Sequence, residues 1–143
     1  MTESTEHLVP MSHAAQNRCF GCGPANPTGL RLEFLLADDG SVVSFATVSE
    51  AFEGHPGYLH GGVIASLLDE AMSKAVRAKG LSAMTGKMEV HYHRPVPSQV
   101  SIRLEGKLVR SEGRKHWTEG KIRDAAGKEL ARASGLYIEL RKN

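Results

Sequence analysis

The segment from His60 to Asp69 carries the pattern in this chain that most directly suggests chemistry. A histidine and two glycines, Gly61 and Gly62, open an amphipathic helical segment, and Asp69 follows about two and a half turns later. Glycines at a helix start leave backbone N–H groups accessible, and such a pole binds an anion or polarises a carbonyl group. A polarising pole combined with a fixed carboxylate is a minimal arrangement for hydrolysing an activated acyl group.

One amphipathic helix must position this pair. The apolar spacing predicts it from about Gly61 to Lys79, with Gly80 ending it. Asp69 lies off the apolar stripe, so we expect its carboxylate to face solvent or a second subunit. The stripe itself consists of Ile64, Leu67, Leu68, Ala71 and Ala75, flanked by Met72.

The remaining segments predict strands around that helix. Residues 1–17 look loosely ordered, and residues 18–29 form a Gly/Pro/Asn-rich segment that we call the entry loop. We therefore expect a single domain over residues 1–143, with an α+β fold in which one long helix is wrapped by a curved antiparallel sheet of about six strands. A helix covered on one side only predicts a homodimer. Alternating apolar residues place the strands at 30–36, 43–49, 84–94, 99–110, 115–124 and 128–140.

Composition narrows the class of protein. The chain has 143 residues, 41% hydrophobic and 24% charged, which is ordinary for a globular domain. A net charge of +2 gives no indication of a nucleic-acid partner. No apolar run approaches the length of a membrane span, and the polar, acidic first residues resemble neither a signal nor a transit peptide. We therefore expect a cytoplasmic protein with no membrane partner.

Two cysteines form the motif Cys19-Phe20-Gly21-Cys22. One such motif is half of a zinc site or a redox pair, and a closed zinc site needs two more ligands. His7 and His13 lie upstream, and a symmetric dimer would bring a second cysteine pair. Turn-forming residues follow the motif, whereas a thioredoxin-like pair opens a helix. Structural thiols, metal ligands and a redox pair remain the alternatives.

Taken together, these motifs resemble the hotdog-fold acyl-CoA thioesterases of the phenylacetic-acid-pathway and thioesterase-superfamily type. The resemblance rests on His60-Gly61-Gly62 followed by Asp69, on the entry loop, on the strand from Thr85 to Pro97, and on the turn from Ser111 to Lys115. It implies hydrolysis of an acyl-CoA to free acid and CoA. It also implies a homodimer or a dimer of dimers with a shared active site. The thioester carbonyl is already electrophilic, so no metal and no cofactor besides the CoA of the substrate are expected.

The resemblance also implies roles for individual residues. Gly61 or Gly62 would offer a backbone N–H to the thioester carbonyl, with His60 beside it. Asp69 would act as general base or nucleophile, and Thr85 would position the attacking water. Separately, the charge of Arg110, Arg114 and Lys115 around one turn, with Lys87 and His116 as further candidates, suits the CoA phosphates. The other candidate substrate-binding residues are His55, Tyr92 and Gly113.

The sequence departs from this family pattern at one point. Many relatives carry an amide side chain in the loop before the histidine, whereas this chain reads Gly54-His55-Pro56-Gly57-Tyr58. His55 is the candidate substitute. Two other function classes therefore stay open, namely a non-catalytic acyl-CoA binder and another hotdog activity such as a dehydratase.

Overall fold

The computed structural model describes residues 6–141, and what was expected of residues 1–5 and 142–143 lies outside the described residues. One α-helix packs against a single seven-stranded antiparallel sheet of order β1-β2-β3-β5-β6-β7-β4. The predicted α+β arrangement of one long helix on a curved antiparallel sheet is confirmed. The elements are β1 (Leu8–Pro10), β2 (Leu35–Ala37), β3 (Val42–Thr47), α1 (Gly61–Arg77), β4 (Ala83–Tyr92), β5 (Ser101–Glu112), β6 (Lys115–Arg123) and β7 (Glu129–Glu139), with a 3₁₀ turn at Glu50–Phe52.

Helix α1 begins where the sequence predicts. His60 is its N-cap, and the helix ends at Arg77, two residues before the predicted Lys79. Gly80, with a φ of 79°, turns the chain away. The predicted apolar stripe is confirmed, because all of its members, together with Met72 and Val76, are buried in one core. Within residues 6–141, no helix combines the length and the apolar character needed to cross a membrane.

The helix approaches the sheet most closely over a pair of glycines. Gly106 on β5 and Gly120 on β6 are direct partners across the two strands. A Cβ atom on Gly106 would lie 2.0 Å from the carbonyl oxygen of Ala71, and one on Gly120 would lie 3.1 Å from Cγ of Met72. A side chain at Gly106 would therefore push the helix away from the sheet.

The N-terminal segment differs from the sequence expectation in its first strand. Leu8–Pro10 pairs with Leu35–Ala37 and forms the edge of the sheet. The expectation that residues 1–17 look loosely ordered is therefore wrong for Leu8–Pro10. It supplies the strand that raises the count from about six to seven.

The predicted strand over residues 30–36 is wrong for most of its length, since only Leu35–Ala37 joins the sheet. Arg31 adopts a φ of 51°, which interrupts the extended conformation. The flanking amides of Leu30 and Leu32 donate to the entry-loop carbonyls of Phe20 and Gly21. Alternation therefore identified a buried segment correctly but not its hydrogen-bonding partner.

Strand β4 forms the other edge of the sheet, and it contains a bulge. Thr85 pairs with Tyr137 and Lys87 pairs with Leu136, so Gly86 is an extra residue. The bulge turns Thr85 toward the helix and Lys87 toward the outer face. Over its ten residues β4 pairs with β7 on one side, and no described strand pairs with its other side.

Candidate active site

Asp69 lies on the flank of α1, partly buried against β4 and β7 of its own chain. The Thr85 hydroxyl donates to Oδ1 of Asp69 at 2.8 Å. The Tyr137 hydroxyl donates to the same oxygen at 2.6 Å and lies 3.0 Å from the Asp69 carbonyl oxygen. The off-stripe position of Asp69 does not reveal these contacts, which form because the curved sheet continues past the apolar stripe and reaches the helix flank. That the partly buried carboxylate also faces solvent or a second subunit stays a prediction.

Tyr137 is the residue of this cluster that sequence reasoning missed. It is 1% exposed and continues the row of small inward-facing residues Ala131, Ala133 and Gly135 on β7. That alternation was the available signal, since it places Tyr137 on the helix side of the strand. Burial raises the pKa of the Tyr137 hydroxyl far above its usual range, and the Asp69 carboxylate acts in the same direction. The hydroxyl therefore stays protonated and remains a donor.

A row of polar side chains continues from this cluster across the sheet. The strand register aligns Thr85, Tyr137, His116 and Ser111. His116 is buried, its Nδ1 lies 2.7 Å from the Ser111 hydroxyl, and its Nε2 lies 3.7 Å from a Glu139 carboxylate oxygen. The sequence does not reveal this row, because its members come from four strands and meet only through register.

The start of α1 presents one free amide. Nδ1 of His60 accepts the N–H of Gly62 at 2.9 Å, which is the hydrogen bond of an ordinary helix cap. In the described part of the chain, no acceptor engages the N–H of Gly61. The Tyr92 hydroxyl donates to the Gly61 carbonyl at 2.9 Å, so this side chain holds the helix start. Of the two predicted glycines, Gly61 is therefore the one with an available donor.

His55 lies close to this helix start. An open depression brings His55, His60 and Gly61 together and is otherwise lined by Gly54, Tyr58, Leu59 and Pro95. His55 is exposed in the loop before α1. The structure thus places the predicted His55 beside the free Gly61 amide.

The predicted basic residues separate into two groups. Arg114 and Lys115 are exposed at the β5–β6 hairpin, where Gly113 adopts a φ of 58°. Arg114 is anchored there by a hydrogen bond from Nε to the Glu139 carbonyl at 3.1 Å.

The second group, Lys87 and Arg110, lies around Trp117. The Arg110 guanidinium stacks 3.8 Å above the centre of the Trp117 ring and pairs with Glu112 at 3.4 Å. Lys87 and Trp117 line one groove on the outer face of the sheet. This outer face is opposite the one that carries Asp69.

The described residues also bring three metal-ligating groups together. The ligand atoms of Cys19, Cys22 and Glu70 lie within 4.8 Å of one another. Burial raises the pKa of the Cys22 thiol to about 12, and its hydrogen bond with Glu70 contributes in the same direction. This cluster lies where the entry loop rests on α1 and contains none of the histidines considered from the sequence.

Comparison with known families matches residues 56–131, just over half of the chain, to the thioesterase superfamily. Acyl-coenzyme A thioesterase THEM4 of Bos taurus is 30% identical over 116 residues, covering 78% of this chain and 48% of the bovine protein. The chain thus spans about half the length of that relative.

Two solved structures extend the comparison. A crystal structure of a thioesterase superfamily protein is 35% identical, with a TM-score of 0.79, and the match covers 87% of this chain and 60% of that one. A Bacillus halodurans protein crystallised with CoA is 24% identical, with a TM-score of 0.72 and coverage of 83% and 80%. The second likeness shows a shared fold.

The hydroxyl of Tyr137 should contribute measurably to stability. We expect Tyr137→Phe to lower the free energy of unfolding by about 1.5–3 kcal/mol, the range for a hydrogen bond to a charged group. Urea denaturation measures the loss. Tyr92→Phe is the matched control, because its hydroxyl bonds the carbonyl of Gly61 at an exposed site, and it should cost less than about 1 kcal/mol. Equal stabilities of the two variants would contradict the importance of the Asp69 hydrogen bond.

Proposed function

This chain belongs to the thioesterase superfamily, and on that premise we propose that it hydrolyses acyl-CoA thioesters to the free acid and CoA. The observation that carries the proposal is the Asp69 carboxylate, held on the helix flank by two hydroxyl donors. The likeness to an acyl-coenzyme A thioesterase and to a fold neighbour crystallised with CoA supports the same substrate class.

Asp69 supplies the reactive carboxylate in this proposal. Both hydroxyls donate to Oδ1, and in the described part of the chain no donor reaches Oδ2. Oδ2 is therefore the oxygen that takes a proton from the attacking water, or attacks the carbonyl itself. Thr85 and Tyr137 fix the plane of the carboxylate, which limits the geometries that a nucleophile can adopt.

The Gly61 N–H supplies the electrophilic side of the reaction. It lies at the positive end of α1, where the helix dipole favours developing negative charge. His60 uses its ring nitrogen to cap the helix, so its role is to orient the amides rather than to transfer a proton. His55 lines the same depression and takes the place of the amide side chain found in many relatives.

One chain does not bring the Gly61 N–H and the Asp69 carboxylate to one thioester. Asp69 follows Gly61 by eight residues, which separates them by about 12 Å along the helix axis. A base and an oxyanion donor that serve one carbonyl must both lie about 3 Å from the reacting atoms. We therefore assign each active site to two chains, with Gly61 from one and Asp69 from the other.

The free edge of β4 is the surface that would join the two chains. Its ten residues present unpaired backbone groups, and exposed edges of this length pair readily with another strand. The same strand carries Thr85 beside Asp69 and Tyr92 beside Gly61. A two-fold pairing of β4 with its copy would bring the Gly61 N–H and the Asp69 carboxylate to one interface, in a homodimer or a dimer of dimers.

CoA carries phosphate groups, and the exposed cations of the β5–β6 hairpin suit them. Arg114 and Lys115 provide charge-assisted donors at the hairpin tip. Arg110 and Lys87 lie beside Trp117 on the outer face and extend the positive charge along it. We assign the first pair to the phosphates and the second pair to the more distant part of CoA.

The proposed function is tested by thiol release from a panel of acyl-CoAs, from acetyl to palmitoyl with phenylacetyl and benzoyl added. We expect turnover by the wild type and a fall in kcat of about 10²–10⁴-fold in Asp69→Asn, which removes the base with little change of shape. Glu33→Gln, an exposed carboxylate in the segment before β2, is the matched control and should stay at the wild-type rate. CoA-ester binding without thiol release would instead indicate a binder, and hydration of crotonyl-CoA would indicate a dehydratase.

The role of the Gly61 amide is tested by removing the N–H alone. Proline is well accommodated at the first helical position, and His60 already has the extended conformation that proline requires before it. Gly61→Pro should therefore fold and lose roughly 10²–10³-fold in kcat. Gly61→Ala keeps the N–H, and its Cβ would meet only the Tyr92 ring at 3.8–3.9 Å, so near-normal activity is expected.

The shared site is tested by mixing the two defects. Co-expressed Asp69→Asn and Gly61→Pro chains form hetero-dimers with one intact site and one doubly impaired site. Such dimers, isolated with two affinity tags, should regain roughly half of the wild-type rate. No recovery in verified hetero-dimers would place both groups in one chain and contradict the shared site.

The hairpin cations should act on binding of CoA rather than on chemistry. The double variant Arg114→Ala/Lys115→Ala should raise KM about 10-fold and leave kcat within about 2-fold. Lys128→Ala, exposed at the β6–β7 turn, is the control and should leave both constants unchanged. A fall in kcat at constant KM would argue against a phosphate-binding role.

A further inference from the structure

The entry loop folds tightly around its two cysteines, both of which are free thiols. The Cys19 amide donates to the side-chain oxygen of Asn17 at 2.8 Å, and the Gly23 amide donates to the Cys19 carbonyl at 2.8 Å. A Cβ on Gly23 would lie 2.3 Å from the Cys19 nitrogen, so the turn closes on itself at backbone distance. This turn brings both thiols together on the side that meets α1.

A carboxylate from the helix reaches these thiols. Both carboxylate oxygens of Glu70 lie 3.8 Å from Sγ of Cys19, and one ligand atom from each of Cys19, Cys22 and Glu70 falls within a 4.8 Å cluster. A Cβ on Gly21 would lie 2.3 Å from Oε2 of Glu70. The carboxylate thus occupies the space that the missing side chain of Gly21 leaves between the two cysteines.

We propose that Cys19, Cys22 and Glu70 bind a zinc ion, with water as the fourth ligand. Thiolate and carboxylate oxygen are both ligands of Zn²⁺, at about 2.3 Å and about 2.0–2.2 Å, so the ligand atoms of a tetrahedral site lie roughly 3.5–4 Å apart. The cluster needs only small side-chain shifts to reach that spacing. Binding displaces the thiol protons, as at other thiolate sites.

The charges around the cluster balance when zinc is bound. Two thiolates and one carboxylate carry three negative charges, and the ion supplies two positive ones. Lys74 supplies the third, since its Nζ lies 4.0 Å from a Glu70 oxygen and its side chain, like that of Glu70, is 14% exposed. Charge neutrality favours a metal site that is partly withdrawn from water.

Histidine does not complete the cluster. His7 pairs with Asp38 at the surface, at 3.1 Å. His13 uses Nδ1 to donate to the Cys22 carbonyl at 2.9 Å, so it supports the turn from behind. The helical ligand, Glu70, is 51 residues from Cys19, and only the fold brings the two together.

The zinc ion would have a structural role at this position. Glu70 follows Asp69 directly on α1, so the ion would fasten the entry loop to the helix one residue from the proposed reactive carboxylate. Metal ligation fixes a side chain and the backbone that carries it. The zinc site therefore stabilises the helix flank and takes no part in the bond-breaking step.

The test uses the full chain with its thiols fully reduced, and Co²⁺ and Zn²⁺ as probes. We expect one Zn²⁺ per chain by elemental analysis, and a thiolate-to-metal charge-transfer band with Co²⁺ that Zn²⁺ abolishes. Zinc should also raise the melting temperature of the wild type. Absence of metal binding by the reduced chain, or its isolation as a Cys19–Cys22 disulfide whose reduced form binds no metal, would overturn the proposal.

Variants locate the site. Cys19→Ser should keep only about half of the charge-transfer intensity per bound Co²⁺, because Cys22 remains a ligand, and should weaken zinc binding by more than the roughly 10–100-fold that loss of an outer-shell partner costs. Glu70→Gln and Gly21→Ala should keep the band but bind zinc at least about 10-fold more weakly, because one lacks the carboxylate and the other displaces it. Glu89→Gln, which changes an exposed carboxylate on β4, is the matched control and should bind zinc as tightly as the wild type. Equal affinity in the wild type and Cys19→Ser would overturn the proposal whatever the outcome of the thioesterase assays.

Discussion

The backbone of α1 rests directly on Gly106 of β5, and the side chains of Met72 and Leu68 pack onto Gly120 of β6. The positions of the other polar groups depend on this close contact. A Cβ at Gly106 would come within 2.0 Å of the Ala71 carbonyl oxygen. Because the helix lies this close to β5 and β6, the elements on either side extend along its two flanks. On one side β7 and β4 reach the flank that carries Asp69, and on the other the entry loop reaches Glu70. A shallower helix would separate both carboxylates from their partners.

The same helix presents two kinds of electrostatic group to its surroundings. Its first turn offers a backbone amide and the positive end of the dipole, and its middle offers two adjacent carboxylates with different neighbours. Asp69 meets neutral hydroxyl donors, whereas Glu70 meets thiols and an ammonium group. The two hydroxyl donors engage one oxygen of Asp69 and leave the other open to a proton, whereas thiols beside a carboxylate suit a bound cation. Adjacent residues of one element are thereby proposed to serve separate purposes.

The sequence predicted the helix, its buried stripe and the four long strands that follow, because each depends on a local apolar period. The sequence did not predict the conformation of residues whose hydrogen-bonding partners are distant in the chain. Arg31 leaves the extended conformation because its neighbours bond to the entry loop rather than to the sheet. The bulge at Gly86 decides which face Thr85 occupies, and a uniform alternation cannot indicate it. Tyr137 is missed by sequence reasoning because Asp69, the partner of its hydroxyl, lies 68 residues away. The candidate residues on one continuous helix were therefore found more readily than those that meet through sheet register.

The strand order also determines when the sheet can be completed as the chain is synthesised. Strand β7 lies between β6 and β4, although β4 leaves the ribosome long before β7 does. Until β7 inserts, the strand that carries Thr85 lacks its pairing partner. The flank of α1 that carries Asp69 also remains uncovered. Such late, non-local pairing slows folding and leaves apolar surface and strand edges open to other chains. The nascent protein therefore passes through a stage in which its helix and edge strand are made but its Asp69 cluster is not.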